Sequence, residues 1–342
     1  MMRAVVLNEE GGPEVLVIED VDRPEPGPGE VRVRLKAASL NHLDIWIRKG
    51  MPSVTKPRVT GADGAGIINA VGEGIDEQRT GDNVLIDPAI TCGKCRACTS
   101  GNTVACRQFH VLGEHRAGTH AEYVIVPVEN VHITPVHLDD ESAAALPLTF
   151  ATSWRMLHTR AQLQPGERLL IWGASSGVGS AAIVLAKKMG AEIIAVSRSD
   201  YKLKICKVMG ADHVINMSTD DVVKSVKEIT GGEGVNVVFD HLGDAVYKNS
   251  LRMLAIGGRF VTCGATTGAN PPAAITSLFW KQLSVLGSTM ATKDDFASMV
   301  RFVRLHELMP RVDRVFDLEE IVDAHTYLEG AQQVGKVVIN LS

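Results

Sequence analysis

Two hydrophobic patterns follow one another along the chain. In the first, Val31-Arg32-Val33-Arg34-Leu35-Lys36 alternates strictly, which predicts a strand with one buried face. Residues 3–7, Ile67–Val71, Asn83–Ile86 and Tyr123–Val128 read as further short strands bounded by glycine and proline, with a helix over His42–Arg48. Pro24-Glu25-Pro26-Gly27-Pro28-Gly29 can only be turn and extended chain. This region predicts a compact, partly open β-barrel. A helical run, Glu141–Leu157, leads into the second pattern. There, strands Leu169–Trp172, Ile193–Ser197, His213–Asn216, Val235–Asp240, Arg259–Gly264 and Ser284–Gly287 alternate with helical crossovers. That alternation predicts an α/β domain with a doubly wound parallel sheet. Helices over Asp294–His306 and Asp317–Gly330 and a strand over Lys336–Leu341 do not extend it, and are expected to return to the first region. The expected domains are 1–135 with 294–342, and 136–293.

The loop between the first two strands of the second pattern changes the picture most. Gly173-Ala174-Ser175-Ser176-Gly177-Val178-Gly179 stands between a buried strand and an apolar helix, the context of a dinucleotide-binding turn. Glycines there allow close approach of backbone and pyrophosphate, and the helix N-terminus offers N–H groups to the phosphates. Where an NAD-binding chain usually places an acid for the ribose 2′-OH, this chain has Ser197-Arg198-Ser199, with Lys202 close behind. Ser197, Arg198 and Lys202 suit a 2′-phosphate, so NADP(H) is the expected cofactor; Asp200 is the rival, as the missing acid. Asn216, ending the third strand, is placed to flank the adenine. Gly264, Ala265 and Thr266, ending the fifth, are placed to face the nicotinamide, with Thr289 and Met290 beyond the sixth as further candidates.

Cys92, Cys95, Cys98 and Cys106 form a second chemical signal, within a lobe over about 90–108. In a reducing compartment such a cluster reads as metal ligation before disulfide, and four thiolates suit one closed, structural Zn²⁺. An iron–sulfur cluster is the rival, with a spacing unlike the ferredoxin patterns. Cys206 and Cys263 read as inert core thiols.

Composition narrows the class. The 342 residues are 45% hydrophobic and 22% charged with a net charge of −5, so nucleic acid is not an expected partner. No apolar run reaches the roughly 18 residues of a membrane span, and the N-terminus enters a strand pattern directly, from which a cytoplasmic location is expected.

Together these motifs resemble the medium-chain dehydrogenase/reductase superfamily over nearly the whole chain. Leu40-Asn41-His42-Leu43-Asp44-Ile45-Trp46-Ile47-Arg48-Lys49-Gly50 is similar to the Asn-x-x-Asp-x-x-x-Arg-x-Gly segment of its quinone oxidoreductase branch, as is Gly61-Ala62-Asp63-Gly64-Ala65-Gly66. The resemblance implies a Rossmann domain beside a GroES-like, partly open β-barrel. Zinc alcohol dehydrogenases of this superfamily hold a catalytic Zn²⁺; the matching positions here are Asn41, Ala62 and Leu148, none a good zinc ligand. Quinone reductases lack that metal and typically the cysteine lobe too. The chain resembles a hybrid, with structural zinc kept and catalytic zinc lost.

Without a Lewis acid, oxidation of a plain alcohol loses its main electrostatic aid, whereas a conjugated acceptor takes hydride directly. The expected reaction is NADPH-dependent reduction of a quinone or α,β-unsaturated carbonyl. Asn41 is the candidate donor to the nascent enolate oxygen, Asp44 its orienter or a helix cap, and Trp46 a pocket wall. His115 and His120 are candidate proton relays, and Lys336 is implied by resemblance to reach the cofactor. Relatives pair the edge strand near Ser284–Ser288, which implies a homodimer or homotetramer. One rival is an alcohol dehydrogenase with an unusual metal site built from His42, Asp44 or Asp63. Another is a non-catalytic NADPH-binding sensor or structural protein. A zinc-ribbon DNA binder fits poorly, since the cysteine lobe has no basic face.

Overall fold

The computed structural model describes residues 1–272 and 275–342. The chain divides into two compact units, Met1–Thr149 with Thr292–Ser342, and Phe150–Ala291.

The second unit is a six-stranded sheet in the order His213–Asn216, Glu192–Ser197, Arg168–Ile171, Val235–Asp240, Leu254–Thr262, Ser284–Gly287. Every neighbouring pair is parallel. Helices on the crossovers cover both faces, so the central strands are continuous apolar runs. Leu169, Leu170, Ile171, Ile193, Ile194, Val237, Val238 and Phe239 are all fully buried. The strand order reverses between Arg168–Ile171 and Val235–Asp240, the point where this architecture opens a ligand crevice at the carboxyl ends of its strands. This is the doubly wound sheet that the alternating pattern predicts. The fifth strand starts earlier than expected, at Leu254, and pairs with Val235–Asp240 through a register shift. Gly257, at φ 73°, lies in that irregular stretch, so the sequence reads as a turn where the chain is still a strand.

In the first unit, Glu30–Ser39 is the central strand. It pairs with Asp63–Val71, Tyr123–Pro127 and Lys336–Asn340, all antiparallel. The C-terminal strand therefore returns to the GroES-like domain, as its position in sequence suggested. A separate three-stranded sheet holds Leu16–Val21, Met2–Leu7 and Arg58–Val59.

Three expectations need correction. The segment read as one helix from Asp317 is preceded by a strand, Val312–Asp317, parallel to Lys336–Asn340. Asp317 caps a 3-10 turn, Leu318–Glu320, through its capping box with Glu320, and the helix proper runs Ile321–Glu329. The run Glu141–Leu157 is likewise divided, into Asp140–Ala145, Pro147–Trp154 and a π-helical stretch, Arg155–Arg160. Its first helix packs on Glu30–Ser39, Asp63–Val71 and Lys336–Asn340, which is why residues 136–149 belong to the first unit rather than the second. Among the described residues no helix is long and apolar enough to cross a membrane.

Candidate active site

The cysteine lobe converges as its spacing predicts. Cys92, Cys95, Cys98 and Cys106 place their sulfurs within 4.8 Å of one another. Cys106 Sγ is 3.5 Å from Cys92 Sγ and 3.8 Å from Cys95 Sγ, and Cys98 Sγ is 3.6 Å from Cys95 Sγ and 3.9 Å from Cys92 Sγ. Four thiolates at about 2.3 Å around a tetrahedral ion lie about 3.8 Å apart, so the donor set fits Zn²⁺. Backbone N–H groups of Lys94 and Cys95 draw the Cys92 thiol down to about 6, toward the thiolate a metal requires. Burial pushes the thiols of Cys206 and Cys263 up to about 11 and about 12, which keeps both protonated, in line with an inert role.

In the second unit, Ser176 is the N-cap of helix Gly177–Lys188, its Oγ accepting the Gly179 N–H at 3.0 Å. A Cβ on Gly179 would come within 2.4 Å of Gly173 O, so only glycine lets the helix pack this close to the turn. Ser175 Oγ and Ser197 Oγ are 3.2 Å apart, which ties the turn to the end of the second strand. Arg198 is exposed. Asp200 is held by Asn216, whose Nδ2 donates to its Oδ1 at 2.8 Å. The structure thus brings Gly173, Ser175, Ser176, Gly177, Val178, Gly179, Ser197 and Asn216 to one end of the sheet. Gly264, Ala265 and Thr266 join them from the loop after the fifth strand, where Thr266 Oγ1 donates to His241 O at 3.4 Å. Thr289 is exposed beyond the sixth strand.

Sequence reasoning passed over Asp240, which ends the fourth strand, and His241, just beyond it. Asp240 accepts the N–H of Leu242 at 2.9 Å and the hydroxyl of Thr262 at 2.8 Å, and burial raises its pKa. His241 Nε2 is 3.0 Å from Ser176 Oγ. The strand-end rule that selected Asn216 would have selected His241 as well.

In the first unit, Lys336, Asn41 and Asp63 form one buried network. Lys336 Nζ donates to Leu40 O at 2.8 Å, Asn41 Oδ1 at 2.7 Å and Asp63 Oδ2 at 2.9 Å. Asp63 also accepts Asn41 Nδ2 at 2.9 Å, Ser39 Oγ at 3.1 Å and the Leu148 N–H at 2.8 Å. All three ammonium hydrogens of Lys336 are thereby taken. Lys336 forms an ion pair with Asp63, which is buried and needs a counter-charge. Asp44 caps its helix, its Oδ2 accepting the Asn41 N–H at 2.7 Å, and burial raises its pKa to about 7. Trp46 is 42% exposed and stacks edge-on against His42, with ring centroids 4.9 Å apart. His120 proves unsuited to proton relay. It is fully buried, hydrogen-bonded through Nδ1 to Thr60 Oγ1 at 3.0 Å, and burial lowers its pKa to about 3. His115 stacks on His110 and accepts the Val111 N–H at 3.2 Å.

Residues 27–136 match the alcohol dehydrogenase GroES-like domain, and residues 177–304 match the zinc-binding dehydrogenase family. An NAD-dependent alcohol dehydrogenase of Sulfolobus acidocaldarius is 31% identical over 350 residues, covering 100% of both chains. The chain belongs to the medium-chain dehydrogenase/reductase family. A second relative, a 2-haloacrylate reductase of a Burkholderia species, is 30% identical over 99% of both chains. A crystal structure of an NAD-dependent alcohol dehydrogenase superposes with a TM-score of 0.96 at 45% identity, covering 100% of both chains. As a medium-chain dehydrogenase/reductase the protein is an oxidoreductase, and the converged cysteines match the family's structural zinc lobe.

Proposed function

We propose that this protein is an NADPH-dependent reductase that delivers hydride to a quinone or α,β-unsaturated carbonyl without a catalytic metal. One observation carries the reading. At the segment where zinc-dependent relatives are expected to ligate metal, Asn41 Oδ1 and Asp63 Oδ2 are both bound to the Lys336 ammonium. A divalent cation at these oxygens would have to displace a buried positive charge. Asn41 retains one amide hydrogen beyond the one donated to Asp63, and that hydrogen is the proposed donor to the enolate oxygen. The Lys336–Asp63 pair fixes the orientation of the amide. A conjugated acceptor needs little more than this and alignment with the nicotinamide. Zn²⁺ at the four cysteines would hold the lobe together and take no part in the reaction. The 2-haloacrylate reductase among its relatives fits this reading.

The proposed cofactor contacts are the Gly173–Gly179 turn, Ser197, Arg198, Lys202, Asn216, Gly264, Ala265, Thr266 and Thr289. Self-association is proposed through the edge strand Ser284–Gly287. Ile256, Ile275, Phe279, Trp280 and Val285, in the same unit, are all exposed.

Two observations favour a second reading, an NAD(H)-linked alcohol dehydrogenase. The Sulfolobus relative carries that name, and Asp200, held by Asn216, could serve the ribose hydroxyls. The deciding experiment follows NADPH and NADH oxidation against quinones, enones, aldehydes and ketones, with zinc measured on the same preparation. Turnover of enones or quinones with one zinc per chain supports the first reading. Turnover of simple ketones or aldehydes alone, with two metals per chain, supports an alcohol dehydrogenase.

A further inference from the structure

We propose that His241 couples dinucleotide binding to uptake of a proton, by switching the direction of its hydrogen bond to Ser176. The proposal rests on the dinucleotide reading above and goes beyond it in assigning a residue and a linkage to the phosphate turn.

Two independent contacts place the imidazole at that turn. His241 Nε2 lies 3.0 Å from Ser176 Oγ. A Cβ on Gly173 would come within 2.7 Å of the same nitrogen, so Gly173, at φ 57°, is small to admit this ring as well as to make its turn. The backbone of His241 in turn meets the other loop assigned to the cofactor. Thr266 Oγ1 donates to His241 O, and a Cβ on Gly264 would come within 2.9 Å of that oxygen.

The hydroxyl chemistry then sets two states. Ser176 Oγ already accepts the Gly179 N–H, and it has one hydrogen of its own to give. With His241 neutral and Nε2 bare, that hydrogen goes to Nε2. When Nε2 takes a proton from solvent, its N–H donates to Ser176 Oγ, and the serine hydrogen is released. It is then free to donate to a phosphate oxygen at the start of helix Gly177–Lys188. The same step adds a positive charge beside the pyrophosphate. Charged and titratable groups near His241 come from the fourth strand and its successors. Asp240 precedes it, Asp244 follows it, and the Cys263 thiol is adjacent to Asp240. The residues Gly173–Gly179 and Gly264–Gly268 contribute none. Burial keeps free His241 below its ordinary pKa, so the proton arrives with the ligand.

By linkage, uptake of one proton makes the Kd fall by up to about tenfold per pH unit on acidification. The test is isothermal titration of the whole protein with NAD⁺ and NADP⁺ at pH 6, in buffers of different ionisation enthalpy, which reads proton uptake directly. NAD⁺ is the cleaner probe, because a 2′-phosphate titrates with a pKa of about 6. The wild type should take up about 0.3–0.8 proton per NAD⁺ bound, scaled from a one-proton limit. His241→Asn should bind with no uptake, and Ser176→Ala should reduce it. Uptake that persists in H241N overturns the proposal, as does wild-type binding with no uptake, which leaves the dinucleotide reading standing. Failure of both dinucleotides to bind removes the switch and the dinucleotide reading together. If H241N does not fold, ¹⁵N-histidine spectra of the wild type decide. Protonation of the His241 ring on NAD⁺ addition supports the switch, and a ring that stays neutral overturns it.

Discussion

Lys336 Nζ lies 2.9 Å from Asp63 Oδ2, and the two side chains are 3% and 0% exposed. The pair joins strands that neighbour the same central strand from opposite sides. Removing one partner leaves an uncompensated buried charge, which costs about 3–5 kcal/mol. Lys336→Met is therefore expected to lower unfolding stability by that amount, read from urea denaturation. The double variant with Asp63→Asn should recover more than half of the loss. A double variant no more stable than K336M would show that the pair is not coupled.

Asp44 yields a pH-dependent prediction. Its folded pKa of about 7 stands above the unfolded value, so the native state holds a proton that the unfolded chain has lost. Between about pH 4 and pH 7 the group therefore removes stability as pH rises, by up to about 4 kcal/mol. Asp44→Asn keeps an oxygen to accept the Asn41 N–H and deletes this titration. Its stability relative to wild type should rise from pH 5 to pH 8. An advantage that is flat with pH would contradict the burial argument.

Much of this was legible in the sequence, for reasons that differ by element. Leu169–Trp172 and Ile193–Ser197 were readable because strands buried on both faces are almost uniformly apolar. The four cysteines were readable because thiolate chemistry restricts what so tight a cluster can be. The Lys336–Asp63–Asn41 network was not readable. Lys336 lies 273 and 295 positions from Asp63 and Asn41, and no local pattern marks which buried acid a buried lysine finds. The contact of His241 with Ser176 was hidden for the same reason, since the two lie 65 positions apart, although the place of His241 beyond a strand end was there to be read. The strand Val312–Asp317 was missed because Val-Asp-Arg-Val-Phe-Asp lacks clean alternation, and its pairing with Lys336–Asn340 decides it.

The cysteine lobe predicts a stoichiometry. One zinc per chain should be found by elemental analysis, and Cys98→Ser should lose it. The melting temperature should fall by roughly 5–10 °C, since binding to the folded state alone is folding free energy. Enone or quinone turnover by residual folded protein at low temperature should persist. Loss of the metal with no change in melting temperature would remove the scaffold role.

The proposed self-association is tested at the exposed apolar residues of the Rossmann unit. Trp280 is 74% exposed and Phe279 62% exposed. Trp280→Glu places a charge on that surface while leaving the sheet interior untouched. The expected result is a shift toward monomer in light scattering, with the circular dichroism spectrum unchanged. An unaltered oligomer would send the interface elsewhere.

The adenosine end separates the two cofactor readings. Arg198 is exposed after the second strand, and Asp200 is anchored by Asn216 at 2.8 Å. If Arg198 pairs with a 2′-phosphate, Arg198→Asp removes a charge-assisted bond and adds repulsion. NADPH should then weaken by about 10–100-fold, consistent with a loss of roughly 1.5–3 kcal/mol, while NADH changes little. Asn216→Ala frees Asp200, and should also tilt preference toward NADH. Equal weakening of both dinucleotides by R198D would mean that the arginine serves the shared diphosphate. A loss confined to NADH in N216A would instead make Asp200 the ribose acid, and the second cofactor reading would replace the first.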